Sequence, residues 1–295
     1  MTETRFIPFI TLSEYAPRIW ITMSGCNLRC RGCFSLAKEE VGEPITVDQL
    51  VTLVGSSARE LYGRGLQEVV LTGGEPTLDR EYLLRLMIAL RRISREVVLQ
   101  SNASLLTPPF LEELLAAGLD RLIVDLKTLD DEKHVWYTGR SNRELLKNIS
   151  YAAPRIPMVV NTLLMPGLVD GEEMVNMARL LRSLEPLDLE LRINPFRADL
   201  SPEKVSRTPS DGELEELAER CRREYPRTVS SRSCLRESAG GPSRTWLTVY
   251  PDGRMERRGL QDYRSQNEKM FRGQSSKPIS AMPLALSAMG PKTSI

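Results

Sequence analysis

Three cysteines in one short segment have the clearest chemistry in this sequence. Cys26, Cys30 and Cys33 are spaced C-x3-C-x2-C, directly after a short apolar segment rich in β-branched residues. Cysteine thiolates bind zinc and iron–sulfur clusters, and thiolates this close in a loop can converge on one small metal centre. A structural zinc site normally has four protein ligands. The triplet therefore fits better a [4Fe–4S] cluster with three protein ligands and one iron left open for a substrate or cofactor.

Other interpretations of the triplet stay open. A zinc ion, or a cluster with four protein ligands, would need a distant fourth ligand, for which the chain offers Cys221, Cys234 and His134. The three cysteines could also be plain reduced thiols in a loop. Two further cysteines are too few for an auxiliary cluster, so we expect one cluster. We expect Cys221 in helix packing, Cys234 in an exposed loop and His134 on a helix surface.

The composition narrows the class of protein. The chain has 295 residues, of which 41% are hydrophobic and 27% are charged, which excludes collagen, coiled coil and full disorder. Lys and Arg total 40 against 39 Asp and Glu, so the net charge does not favour nucleic acid as a partner. A single histidine leaves almost no material for a Ser-His-Asp triad or a His-rich zinc site. With clustered cysteines, no signal-like N-terminus and no long apolar run, we expect a cytoplasmic protein without membrane contact.

The elements that must position the cysteines alternate between strand and helix. Apolar, β-branched segments are each followed by a segment of helical periodicity, about six times between residues 18 and 225. This alternation predicts an α/β fold with a parallel sheet, and six units indicate a partial (β/α)6 TIM-type barrel. In such folds, chemistry is located at the carboxyl ends of the strands. We predict a lead-in at residues 1–17, the barrel at 18–228, a β-hairpin appendage at 229–260 and a disordered tail at 261–295.

The cysteine triplet resembles the signature of the radical S-adenosylmethionine (SAM) superfamily. Gly73-Gly74-Glu75 follows the second predicted strand and resembles that superfamily's Gly-Gly-Glu motif. Asp125-Leu126-Lys127 and the segments 130–134, 138–142, 165–170 and 194–196 resemble the glycyl-radical-enzyme activating enzymes, among them the pyruvate formate-lyase activating enzymes. The resemblance covers about residues 18 to 200 and implies a barrel of the radical SAM kind.

This resemblance implies a specific reaction. The cofactors would be one [4Fe–4S] cluster and SAM, and reductive cleavage of SAM would give a 5′-deoxyadenosyl radical that abstracts hydrogen from a substrate. The implied substrate is a glycine of a partner glycyl radical enzyme, and the implied reductant is a flavodoxin- or ferredoxin-type electron donor. Radical SAM modification of another peptide, a nucleoside or a small metabolite is the first alternative. A non-catalytic iron–sulfur or zinc-binding protein is the second.

The resemblance also implies roles for particular residues, with no catalytic residue beyond the cluster and SAM site. Glu75 would offer its carboxylate to the SAM ammonium group in a charge-assisted hydrogen bond. Asp125 and Lys127 alternate with Leu126, so both face one side of a strand, where they would help to position SAM. The metal ligands expected are Cys26, Cys30 and Cys33, and the cofactor-binding residues expected are Phe34, Gly73, Gly74, Glu75, Asp125, Lys127 and Arg197.

The sequence departs from the family pattern at three places. Gly32 stands where the superfamily has an aromatic residue near the adenine, so that contact shifts to Phe34 or to the backbone. Arg197 stands where the activating enzymes have a histidine; it can donate hydrogen bonds to a ribose or a carboxylate but does not titrate. The run from Gln100 to Ala103 lacks the aspartate of a monovalent-cation site. These changes bear on the substrate more than on the SAM chemistry.

Overall fold

The protein is built around one large β-sheet. The computed structural model describes residues 3–231, 245–259 and 282–283. The strands, in chain order, are β1 (Thr4–Ile7), β2 (Phe9–Leu12), β3 (Arg18–Met23), β4 (Glu43–Thr46), β5 (Leu66–Gly73), β6 (Ser94–Ser101), β7 (Arg121–Asp125), β8 (Met158–Leu164), β9 (Leu189–Pro195), β10 (Thr228–Ser230), β11 (Thr245–Val249), β12 (Met255–Gly259) and β13 (Met282–Pro283). The helices are α1 (Val47–Tyr62), α2 (Arg80–Leu90), α3 (Pro108–Ala116), α4 (Asp131–Thr138), α5 (Arg143–Ala152), α6 (Gly171–Ser183) and α7 (Asp211–Glu224).

The order of the strands confirms the predicted α/β fold. Within the described residues, the large sheet has 11 strands in the order β10-β9-β8-β7-β6-β5-β3-β2-β11-β12-β13. Strands β3 and β5 to β10 pair in parallel, with a helical crossover between successive strands. In this part of the chain the two ends of the order, β10 and β13, do not pair with each other, so the sheet is open rather than a closed barrel. Parallel pairing brings the carboxyl ends of all these strands to one edge of the sheet, which we call the functional edge. The loop that carries Cys26, Cys30 and Cys33, called the cysteine loop, begins there.

Local sequence signals place the helices. Thr46 forms a capping box with Gln49 at the start of α1, and Asp79 accepts a hydrogen bond from the Tyr82 amide at the start of α2. Gly139 adopts a left-handed conformation (φ 81°) that ends α4 and separates it from α5. These ends fix which residues follow each strand and therefore which side chains reach the functional edge.

The segment before the barrel is more ordered than the sequence indicates. The sequence predicts no strand before residue 18, but this part of the chain contains β1, which pairs with β4, and β2, which pairs antiparallel with β3. The predicted hairpin is present as β11 and β12, and it extends the main sheet because β11 pairs with β2. Apart from 282–283, the tail predicted for 261–295 lies outside the described residues, as does Cys234. No helix in the described ranges is long and apolar enough to cross a membrane.

Two expectations about single residues have different outcomes. Cys221 lies on the buried face of α7, as expected. The expectation that His134 lies on a helix surface is wrong, because its side chain is only 2% exposed. Its Nδ1 donates to the carbonyl of Arg140, since a carbonyl oxygen can only accept, and burial lowers the pKa of His134. The histidine is a neutral packing residue that holds the turn after α4.

Candidate functional site

The cysteine loop leaves the carboxyl end of β3 and lies against the end of α4. The backbone amides of Arg29 and Arg31 donate to the carbonyls of Thr138 and Tyr137, at 2.8 and 2.9 Å. The Cys33 amide donates to the carbonyl of Cys30 at 3.1 Å, which makes a turn between the second and third cysteines. The loop is therefore fixed at several points by its backbone.

The three cysteines are free thiols, each partly exposed. Burial raises the pKa of Cys26 and raises that of Cys30 to about 12, the latter opposed by the nearby ammonium of Lys127. Binding of a metal centre must therefore displace protons from these thiols. Within the described residues, no three Cys, His, Asp or Glu side chains converge closely enough for a single metal ion. A four-iron cluster fits this donor set better, because each thiolate binds a different iron and the sulfurs need not meet at one point.

Gly73 and Gly74 bring the end of β5 into direct contact with the cysteine loop. The Gly74 amide donates to the Met23 carbonyl at 2.8 Å, and the Glu75 amide donates to the Gly25 carbonyl at 2.7 Å. A Cβ atom on Gly74 would overlap the carbonyl oxygens of Gly25 and Ala37, so this contact requires glycine. The two loops are thus a single hydrogen-bonded unit.

Gly74→Ala is expected to separate these two loops. The added methyl group meets backbone oxygens, which cannot move aside as the end of a flexible side chain can. We expect a loss of stability of about 1–3 kcal/mol, as for other overpacked positions with a displaced backbone, together with incomplete iron loading. Urea unfolding and iron analysis measure both effects. Gly55→Ala, on the open face of α1, is the matched control and should be at least as stable as the wild type, because alanine favours a helix over glycine by about 0.5–1 kcal/mol. An unaltered Gly74→Ala protein would contradict this interpretation of the contact.

The carboxylate of Glu75 holds together the ends of two strands. Its Oε1 accepts hydrogen bonds from the Thr77 amide and hydroxyl and from the Ser101 hydroxyl, and its Oε2 accepts one from the Asn102 amide at 2.7 Å. The residue is 0% exposed, and burial raises its pKa although these donors oppose the rise. In this structure the carboxylate is occupied by the protein itself, so its expected contact with the SAM ammonium stays a prediction.

Asp125 and Lys127 lie together at the end of β7. The Lys127 Nζ and Asp125 Oδ2 are 3.6 Å apart, which confirms that the two side chains share one side of the chain. Burial lowers the pKa of Lys127, but the charge of Asp125 and the nearby Cys30 sulfur outweigh it, so the pKa is raised. Lys127 therefore stays protonated and places a positive charge beside the cysteine loop, where it is paired with Asp125.

The structure explains why Gly32 replaces an aromatic residue. A Cβ on Gly32 would lie 2.6 Å from Cε2 of Phe196 and against the hydroxyl of Tyr137. These two buried rings fill the space beside the loop, so only glycine fits at position 32. Phe34, one residue beyond Cys33, is partly exposed in the same loop. Its contact with adenine stays a prediction.

Arg197 is only partly available to a ligand. Its Nε and Nη2 donate to the two carboxylate oxygens of Asp199, at 2.8 and 2.6 Å, and this pairing raises the pKa of Arg197. A SAM ribose or carboxylate would have to bind the remaining nitrogen or displace Asp199. The predicted role of Arg197 therefore competes with an internal ion pair.

Two asparagines belong to the site and were not singled out from the sequence. Asn102 follows β6, and its Nδ2 donates to Asn27 Oδ1 at 2.8 Å and lies 4.0 Å from the Cys26 sulfur. Asn27 in turn donates to the Ser104 hydroxyl at 2.8 Å. The signal was present, since Asn102 directly follows the third parallel strand at the functional edge. Three successive strands therefore contribute to one site: β3 with the cysteines, β5 with Glu75 and β6 with Asn102.

Comparison with known proteins identifies the family. Residues 20–181, more than half of the chain, match the sequence model of the Radical SAM superfamily. The chain therefore belongs to the radical SAM superfamily, whose cofactors are a [4Fe–4S] cluster and SAM. This membership supports an enzyme rather than a non-catalytic metal-binding protein.

Curated relatives differ in their reactions. A probable GTP 3′,8-cyclase from Archaeoglobus fulgidus is 34% identical over 158 residues, which are 52% of this chain and 51% of the relative. A putative glycyl-radical enzyme activating enzyme from Methanocaldococcus jannaschii is 29% identical over 66% of this chain and 72% of its own length. A pyruvate formate-lyase-activating enzyme from Staphylococcus epidermidis is 28% identical over 58% of this chain and 71% of its own length. The chain thus spans about half the length of the cyclase and more of the two activating enzymes.

Solved structures support the fold. SuiB from Streptococcus suis, bound to its precursor peptide SuiA, superposes with a TM-score of 0.60 at 17% identity, over 74% of this chain and 49% of SuiB. A radical SAM methyltransferase from Sphaerobacter thermophilus superposes with a TM-score of 0.55 at 18% identity, over 75% of this chain and 68% of that protein. At these identities the likeness is one of fold alone.

Proposed function

We propose that this protein activates a glycyl radical enzyme. The observation that carries the proposal is the meeting of the cysteine loop, the Gly-Gly-Glu segment and the Asp125–Lys127 pair at the carboxyl edge of the parallel sheet. Relatives named as activating enzymes, at 28–29% identity, support this reaction. Within the described residues the outer edge of β10 is unpaired, which leaves the barrel open at one side to a polypeptide segment.

Each residue of the site has a proposed task. Cys26, Cys30 and Cys33 would hold the cluster, and the glycine backbone would lie against SAM. Lys127 and Asp125 would place a positive and a negative charge beside the bound amino acid part of SAM. When bound, the cofactors supply an electron and a 5′-deoxyadenosyl group that takes one hydrogen atom from a glycine of the partner. A flavodoxin- or ferredoxin-type protein is the proposed source of the electron.

The decisive experiment detects the radical on the partner. The reconstituted protein is mixed anaerobically with SAM, dithionite and a candidate glycyl radical enzyme, such as one encoded beside it, and the EPR spectrum is recorded. We expect a doublet signal on the partner, in amounts that match the 5′-deoxyadenosine formed. The same mixture with a Cys33→Ala variant should give neither. SAM cleavage without a radical on any candidate partner would contradict activation while leaving the radical SAM chemistry intact.

A small polar substrate is the second candidate, supported by the cyclase relative and by the barrel interior. Asp125, Asn161 and Arg192 are direct neighbours across β7, β8 and β9, on the face that alternates with residues buried under the helices. Such a row could bind a nucleotide or another polar metabolite. If nucleoside triphosphates stimulate 5′-deoxyadenosine formation and no partner becomes a radical, this candidate replaces the first.

A further inference from the structure

Arg5 is a buried arginine that connects the two loops of the site. It lies on β1, before the segment that matches the superfamily model, and the residue is only 8% exposed. Its Nε and Nη2 donate to the carbonyl of Ser24, at 3.2 and 2.8 Å, and Nη2 also donates to the carbonyl of Glu75 at 3.0 Å. One guanidinium group therefore bridges the residue two positions before Cys26 and the last residue of the Gly-Gly-Glu segment.

The position suits an arginine for physical reasons. The carbonyls of Ser24 and Glu75 lie in a buried region, where an acceptor without a donor is costly. The planar fork of arginine can donate in two directions at once, whereas the single ammonium of lysine cannot reproduce this geometry. Burial lowers the pKa of Arg5, but the nearby carboxylates of Asp79 and Glu75 oppose this effect. The arginine thus serves as a charged clamp on backbone atoms.

We infer that Arg5 is a positioning residue that sets the distance between the cysteine loop and the Gly-Gly-Glu backbone. The inference rests on the proposed placement of the cluster at the cysteines and of SAM at the glycines. It does not depend on which substrate the enzyme uses. The backbone pairs between the loops fix their register, and Arg5 holds the same loops from the β1 side. Its loss should loosen the SAM side of the site while leaving the three thiols able to load iron.

The experiment compares Arg5→Met and Arg5→Lys with the wild type and with Arg64→Met, an exposed arginine just before β5. In the protein without cofactors, hydrogen exchange should rise in peptides containing residues 24–33 and 73–78 of Arg5→Met, and stay unchanged in 108–116. After reconstitution, iron content should equal the wild type, while the Kd for SAM rises about tenfold in Arg5→Met and about threefold in Arg5→Lys. The EPR signal of the reduced cluster with SAM should also change shape.

Each outcome decides the inference. Wild-type exchange, wild-type SAM affinity and an unchanged EPR signal in both Arg5 variants would overturn it. If Arg5→Met does not fold, Arg5→Lys decides alone: a stable protein with weakened SAM binding supports the role, and wild-type binding refutes it. If the wild type itself binds no SAM, the placement of the cofactors fails, which is distinct from a failure of Arg5. Arg64→Met should match the wild type throughout.

Discussion

Replacement of any one of Cys26, Cys30 and Cys33 by alanine is expected to lower 5′-deoxyadenosine formation at least about a hundredfold. Loss of residues that merely orient metal ligands already costs about 10–100-fold, so loss of a ligand should exceed that range. The reason is geometric: three thiols serve three irons, and the loop offers no nearby replacement. The measurements are iron and sulfide per chain after anaerobic reconstitution, and 5′-deoxyadenosine formed from SAM and dithionite.

Cys221→Ala is the matched control for this loss. Cys221 is also a free cysteine with a raised pKa, about 11, but it is buried in the packing of α7. Its replacement should cost little stability and leave iron content and SAM cleavage at the wild-type level. If a variant of the triplet kept its full iron content and its SAM cleavage, the cysteine loop would not be the cluster site.

The sequence predicted the residues of the site better than it predicted the elements that hold them in place. The cysteine spacing and the order of strands and helices are local patterns, and the structure has the three segments of the motif at one edge of the sheet. The strand that carries Arg5 gave no prediction because β1 has only four residues and is followed by Pro8. This strand forms by pairing with β4, which lies nearly 40 residues later in the chain, and no local sequence pattern predicts such a pairing.

The sequence also did not predict which residues near the site are buried by contacts with other elements. His134 follows a run of charged residues (131–133), which predicts exposure, but the short α4 turns it inward to the Arg140 carbonyl. Gly32 departs from the superfamily pattern for a reason that only packing shows, since Tyr137 and Phe196 arrive from other elements. In each case the deciding contact joins residues that are not neighbours on one helix or strand. Motif spacing therefore located the chemistry, whereas the tertiary contacts determined how its parts are held.

Glu75→Ala is expected to destabilise the protein by about 3–5 kcal/mol, even before any cofactor is bound. The carboxylate accepts four hydrogen bonds, and its removal would leave the Thr77 amide, the Ser101 hydroxyl and the Asn102 amide buried without an acceptor. Each such loss costs about 1–3 kcal/mol, with partial compensation by rearrangement or entering water. Urea unfolding of the protein without cofactors gives the difference in free energy.

Glu75→Gln separates the charge from the shape of the side chain. Its oxygen can still accept from Thr77 and Ser101, but its amide group would face the Asn102 N–H, so that two donors oppose each other. We expect a loss of about 2 kcal/mol for this variant. Glu81→Gln, on the exposed surface of α2, should stay within about 0.5 kcal/mol of the wild type. A Glu75→Gln protein as stable as the Glu81→Gln control would show that the carboxylate does not join β5 to β6, and would leave it available to the SAM ammonium instead.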